Sequence, residues 1–250
     1  MKKIFIANLL LIFLLISTPF GLAFMETTNP LEGKIIALDA GHGDDGATGA
    51  VNQKYQVVEA DVNWDVVQAL KIKLEEQKAH VVVVDRLSTR RDRVNDAVVK
   101  CAALDVNGDG VADNKKCDVL VSVHHNGSTE PIHDGTLTIY TQNSDKPLAE
   151  ALLNSLTLLT GQSEGMLKGG YGMTVYKNLV SAITEAYYIT NDCEAELYLY
   201  SKGQLTDINQ KCKENGYPLE DRIDREAQLQ LEGLFNYFSI PQEKPGRNPK

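Results

Sequence analysis

The chain has 250 residues, 43% of them hydrophobic and 24% charged, with 25 basic against 34 acidic side chains and a formal net charge of -9. That is enough apolar material for one sizeable α/β domain or two small ones, and it argues against disordered, collagen-like and repeat-only chains. An acidic surface without a lysine- or arginine-rich block repels phosphate, so nucleic-acid binding is disfavoured.

In chain order, Lys2 and Lys3 precede an apolar run at 4–16, which Thr18, Pro19 and Gly21 break before Gly21-Leu22-Ala23. The pattern predicts a secretory signal peptide over residues 1–23, with an apolar core too short to span a membrane comfortably. Export would place the four cysteines in an oxidising compartment, where an even count suggests two disulfides. Three pairings are open, and the simplest joins Cys101 to Cys117 and Cys193 to Cys212, each pair bracketing a short polar segment. No CxxC spacing occurs to support a thiolate zinc site or a thioredoxin-like centre.

After the turn signal Asn29-Pro30, residues 34–38 form a compact apolar run, expected to be a buried strand feeding Asp39 and the glycine-rich loop 41–49. From Glu59 the period changes, with Val62, Val66, Val67, Leu70 and Leu74 on one helical face. A strand at 81–84, a helix at 90–104 and a polar segment at 105–118 follow. Residues 119–123 form a third strand running into His124, His125 and Asn126. A β-branched strand at 136–141, a helix at 146–159, a loop at 169–172 and a short strand at 182–184 before Glu185 come next. An amphipathic helix at 220–238 and a tail at 241–250, expected to be disordered, complete the chain. The alternation predicts a single α/β domain over 33–240, its twisted, mostly parallel sheet flanked by helices. In such sheets working groups collect beyond the carboxyl ends of strands, where Asp39 to His42, His124 and Glu185 all fall.

Two strand-exit histidines, His42 and His124, with Glu59 at a helix start, have the composition of a two-histidine, one-carboxylate zinc set. Glu185 is a candidate general base toward a metal-bound water.

The segment Leu38-Asp39-Ala40-Gly41-His42-Gly43 with Gly49-Ala50, then Glu59-Ala60-Asp61-Val62-Asn63, Ser122-Val123-His124-His125-Asn126, and Ile183-Thr184-Glu185 with Ile189-Thr190-Asn191, resembles in order the motifs of zinc-dependent N-acetylmuramoyl-L-alanine amidases. These cell-wall hydrolases cut the amide between muramic acid and the stem peptide of peptidoglycan. The resemblance implies His42, Glu59 and His124 as zinc ligands, Glu185 as the catalytic glutamate and peptidoglycan as the partner, with a secreted protein of the periplasm or extracellular wall. Adjacent strand residues face opposite ways, so one zinc takes one of the two neighbouring histidines, and the family spacing selects His124 over His125. Asn126 is a candidate for orienting a ligand or substrate. Ala186-Tyr187-Tyr188 departs from the family's usual Gly-Phe, and both cysteine-bracketed segments are insertions.

His80 reads as a structural residue and His133 as a surface residue, with substrate contact the alternative for His133; Arg90, Arg91 and Arg93 read as a solvated helix face, with a role beside anionic peptidoglycan as the alternative. The insertion at 101–118 carries Asp105, Asn107 and Asp109 at alternate positions before Gly110, like the start of an EF-hand loop. Val111 and Asp113 complete a candidate calcium set, although Lys116 stands where the bidentate glutamate belongs. Competing readings are a zinc peptidase acting on stem peptides and a non-catalytic peptidoglycan-binding domain. A serine nucleophile elbow and a phosphate loop are both absent.

Overall fold

The computed structural model describes residues 29–44, 46–176 and 178–240. The predicted signal peptide at 1–23 and the tail at 241–250 lie outside the described residues.

The first strand, β1 (Ile35–Ala40), is buried along its whole length, as an apolar run covered on both faces must be. It leads through the glycine-rich loop and a two-stranded hairpin, β2 (Val51–Asn52) and β3 (Val57–Val58), into α1 (Glu59–Glu76). β4 (His80–Val83), α2 (Arg90–Ala103), β5 (Val119–Asn126), β6 (Thr136–Tyr140), α3 (Lys146–Thr160) and β7 (Ser163–Lys168) follow. A 3-10 turn (Gly172–Thr174) precedes β8 (Ser181–Tyr188), then α4 (Asp192–Ser201), α5 (Gln210–Glu214) and α6 (Arg222–Ser239).

Six strands form one sheet in the order β4-β1-β5-β8-β6-β7. Every neighbouring pair is parallel except β6 with β8. The alternation of side chains along the central strands divides the core in two. Ile36, Leu38, Val119, Val121 and Val123 face a layer made by α1, α3 and α6. Ile35, Ala37 and Leu120 face Val94, Ala97 and Cys101 of α2. The expected α/β architecture, a mostly parallel sheet flanked by helices, is the observed one.

Several boundaries move. β5 continues through His124, His125 and Asn126, and β8 through Glu185 to Tyr188, so His124 and Glu185 lie within strand ends, not beyond them. Pairing across the parallel β5–β8 ladder extends both strands, with the register shifting between His124 and Asn126. β7 was not legible because its sequence, Ser-Glu-Gly-Met-Leu-Lys, is an exposed edge without polar alternation. α4 has no counterpart among the expected elements. Asn191, quoted above in the family-like segment, caps it, its side chain accepting from the Cys193 amide at 2.8 Å.

Both local cysteine pairs are bonded, Cys101 to Cys117 and Cys193 to Cys212. The first ties the last turn of α2 to Cys117, two residues before β5, and the second joins α4 to α5. Closing loops of 16 and 19 residues is worth about 3 kcal/mol each in the chain-entropy account.

α3 and α6 approach closely at Gly233 of α6, where an added Cβ would meet the Leu152 Cα at 3.0 Å and the Ala151 carbonyl oxygen at 3.2 Å. Neither backbone atom can step aside without moving α3. Gly233→Val should therefore destabilise the fold by about 2 kcal/mol or more, read as a lower midpoint in urea unfolding at unchanged slope. A wild-type midpoint would show that α3 and α6 are not held at this separation.

Candidate active site

The site is assembled at the carboxyl ends of β1 and β5. The backbone amide of Gly41 donates to the Val123 carbonyl at 2.9 Å, carrying the ladder one residue beyond β1 and setting His42 over the sheet end. His42 has φ +59, a left-handed backbone that non-glycine residues adopt only where surroundings hold them there. Arg93 does the holding. Its guanidinium donates to the carbonyl oxygens of His42 at 2.8 Å and Ala40 at 2.9 Å, and pairs with Asp39 at 3.0 Å and Asp44 at 3.3 Å. Asp39 also accepts from the Ser122 hydroxyl of β5 at 2.6 Å. Arg93 is buried, which corrects its assignment to a solvated face. The signal was present in the helical period: Arg93, Ala97 and Cys101 fall on one line of α2, and that line faces the core.

Glu59 opens α1 and is itself buried. One carboxylate oxygen accepts from the Ala50 amide at 2.8 Å, and the other from the His125 amide at 3.2 Å and the Asn63 side chain at 3.3 Å. The second oxygen also lies 3.3 Å from His42 Nε2 and 3.1 Å from His124 Nδ1. Burial alone pushes this carboxyl up, but hydrogen bonds and charge from His124 and His42 outweigh it and hold the group well below the usual carboxylate range. The ligand atoms of His42, Glu59 and His124 all lie within 4.8 Å of one another. Among the described residues this is the only group of three or more such side chains placed to share a metal ion.

Two glycines leave room for the cluster. A Cβ on Gly41 would run into the His124 ring. A Cβ on Gly49, whose φ is +69, would meet the Glu59 Cδ at 2.8 Å and the His42 Cδ2 at 2.7 Å.

Glu185 is the register partner of His124 across the β5–β8 ladder. Its Oε2 is buried without a hydrogen-bond partner. Burial pushes its carboxyl up to about 7, with His124 pulling it down and Glu59 pushing it further up. A carboxyl so placed is suited to exchanging a proton near neutral pH.

The neighbouring histidine faces the other way. His125 Nδ1 lies 2.7 Å from the Asn63 Oδ1 and its Nε2 lies 2.8 Å from the Glu226 Oε2 of α6, under the ring of Tyr187. Asn63 and Glu226 were not singled out in the sequence. Asn63 follows Glu59 by one helical turn and donates to the Gly41 carbonyl at 3.0 Å, a link that spacing alone offers. Asn126, the candidate orienting residue, turns its side-chain oxygen to the Gly127 amide at 3.2 Å and makes no other side-chain bond among the described residues. His133 lies at the surface, 2.8 Å from Glu164, and His80 opens β4 beside Ile35.

The loop proposed for calcium closes on itself. Asp105 accepts from the amides of Gly108, Asp109 and Gly110, Asp109 from that of Val111, and Asp113 from those of Val106 and Asn107. Asn107 donates to and accepts from the same turn. The carboxylates are occupied by backbone donors and form no shared ligand group, so the arrangement lends calcium no support.

Fold and site together define an α/β domain with a His/Glu/His cluster at the strand ends and a buried, partnerless carboxyl beside it. Residues 36–212 match the family model described as N-acetylmuramoyl-L-alanine amidase, and the chain belongs to that family. It is 26% identical over 178 residues to the N-acetylmuramoyl-L-alanine amidase LytC of Bacillus subtilis, covering 68% of this chain and 32% of LytC. It is 25% identical over 181 residues to YqiI of the same organism, covering 68% of this chain and 78% of YqiI. The chain thus spans about a third of LytC. The catalytic domain of CwlV, an N-acetylmuramoyl-L-alanine amidase from Bacillus (Paenibacillus) polymyxa var. colistinus, superposes with a TM-score of 0.62 at 22% identity over 83% of this chain and 99% of that one. The N-acetylmuramoyl-L-alanine amidase of Clostridium difficile 630 gives 0.64 at 19% identity, covering 84% and 99%. These structural likenesses establish a shared fold.

Arg93 gives the site a testable support. Arg93→Ala leaves the Asp39 carboxylate buried without its cation and releases three carbonyl oxygens, and should cost about 3 kcal/mol in urea unfolding. Arg93→Lys keeps the charge but loses the fork and should fall between. Equal stability of wild type and alanine variant would remove Arg93 from this role.

Proposed function

We propose that this chain is a secreted, zinc-dependent hydrolase that cuts the amide between N-acetylmuramic acid and L-alanine in peptidoglycan. The observation that carries the reading is the convergence of His42, Glu59 and His124 with the partnerless carboxyl of Glu185 alongside. Family membership supports the bond that is cut. The lysine-led apolar run at 1–23 and the two disulfides support export to the cell envelope.

The donor set fits zinc. Two imidazole nitrogens and one carboxylate within reach of a single ion are the protein's share of a catalytic site that keeps a further position for water. The glycines at 41 and 49 keep the required space clear of Cβ atoms. When bound, zinc supplies Lewis-acid polarisation of the scissile carbonyl and lowers the pKa of water to about 7.

The chain's own residues do the rest. Glu59 is held in its ionised form by the histidines and by the amides of Ala50 and His125, so it is ready to ligate without first losing a proton. Glu185 accepts the proton of the attacking water and returns it to the alanine nitrogen, which must be protonated to leave. Arg93 fixes the His42 backbone and Asn63 joins Glu59 to the Gly41 carbonyl, so the ligands are positioned before substrate arrives.

Two substitutions separate binding of metal from turnover. His42→Ala and His124→Ala should lose zinc and activity together, and metal analysis of the purified variants checks it; full occupancy in either rejects that ligand. Glu185→Gln should keep its zinc while hydrolysis of purified muropeptides falls roughly 10²-fold or more, with products weighed by mass spectrometry. Free stem peptide and intact glycan are the expected products. Cleavage inside the peptide would instead favour a peptidase. Sacculus binding without any cleavage by the wild type would favour a binding domain.

A further inference from the structure

Beside the metal cluster runs a cleft whose walls include His42, Asp44, Ala47, Arg90, His124 and Met173. Its two acidic side chains, Asp39 and Asp44, are both paired with Arg93. Arg90, on the other wall, is exposed, and no hydrogen bond or ion pair engages its guanidinium among the described residues. Its neighbours are all engaged: Thr89 and Asp92 bond each other at 2.6 Å and Arg91 lies over the Tyr176 ring at 5.4 Å. The Arg90 stem is nevertheless placed with some precision. It lies flat on Gly172 of the 3-10 turn, where a Cβ would meet the Arg90 Cβ at 2.7 Å and Cγ at 3.1 Å. The cleft therefore presents, next to the reacting centre, one sterically guided guanidinium with no direct partner among the described residues, while its two aspartates share the single cation of Arg93.

We propose that Arg90 is a specificity residue that receives a carboxylate of the substrate's peptide, one residue beyond the alanine whose amide is cut. The inference rests on the amidase reading and adds to it the charge of the preferred peptide. In peptidoglycan stems the residue after L-alanine is a glutamate linked through its side-chain carboxyl, which leaves the α-carboxylate free unless it is amidated. A planar guanidinium fork binds a carboxylate through two parallel N–H donors, and a neutral carboxamide cannot reproduce that pairing. The cleft should thus favour free glutamate over its α-amide.

The test uses three muramoyl-L-alanyl-glutamate probes titrated calorimetrically into zinc-loaded protein carrying Glu185→Gln, so that binding is read without turnover. The first has a free α-carboxylate and a methylamide on the side-chain carboxyl. The second is the same with an α-carboxamide, and the third has an α-carboxamide with a free side-chain carboxylate. The first should bind about 5- to 10-fold more tightly than the other two, a modest preference because Arg90 is exposed. Adding Arg90→Gln should abolish the preference at unchanged zinc content, and Arg90→Lys should restore part of it. Equal affinities for the first two probes, a preference for the third, survival of the preference in Arg90→Gln, or no binding of any probe would each overturn the proposal. Wild-type protein that shows the preference yet hydrolyses none of the probes would sink the amidase reading and leave the Arg90 assignment standing.

Discussion

A buried carboxylate facing two imidazoles is the constraint around which the domain is built. An ionised group withdrawn from water is costly unless its lone pairs are met by donors. Glu59 is met from four directions: the Ala50 amide before the β2–β3 hairpin, the His125 amide of β5, the Asn63 side chain one turn along α1, and the two histidines. The start of α1, the end of β5 and the loop after β1 cannot separate without stripping a partner from that charge. The same constraint keeps Glu59 ionised, so the feature that stabilises the fold prepares a ligand.

Beneath this anion sits a buried cation. Arg93 comes from the opposite helical layer, crosses the end of the sheet and reaches Asp39, the Ala40 and His42 carbonyls, and Asp44. The left-handed backbone at His42 is tolerable because the carbonyl it reorients is captured on the far side by that fork. Gly41 and Gly49 complete the arrangement by leaving the volume that the His124 ring and the Glu59 carboxylate occupy. The loop is thus specified by what must not be there as much as by what is.

Much of this was legible in the chain. The apolar run at 34–38, the helical period from Glu59 and the strand before His124 fixed both the order of elements and the ends at which ligands gather. What escaped the sequence were contacts between elements distant along the chain. Arg93 stands among three arginines whose composition suggests a wet surface, and only its phase with Ala97 and Cys101 separates it from Arg90 and Arg91. The acidic loop at 105–113 shows how far local spacing reaches. Its Asp-x-Asn-x-Asp-Gly spacing suits a cation, and the same spacing lets short side chains satisfy neighbouring amides, as they do here. Local pattern reports which bonds are available, whereas the ligand set requires several segments to choose the same point.

The two-residue period of a strand explains why α6, which touches no candidate ligand, belongs to the site. His124 points to the cleft, so His125 must point to the helical layer, where Glu226 and Asn63 receive it. Glu185 is the register partner of His124, and its predecessor Thr184 faces the same helical layer, where Gln230 reaches its hydroxyl at 3.4 Å. Gln230 also donates to Glu226 at 3.0 Å, closing a buried polar chain that runs from β5 through α6 to β8. A slip of one residue between the two strands would strand these groups in an apolar layer as well as misplace the carboxyl beside the histidines. The hidden face of the sheet therefore sets the register of the working face, and the geometry of His124 against Glu185 is held from behind.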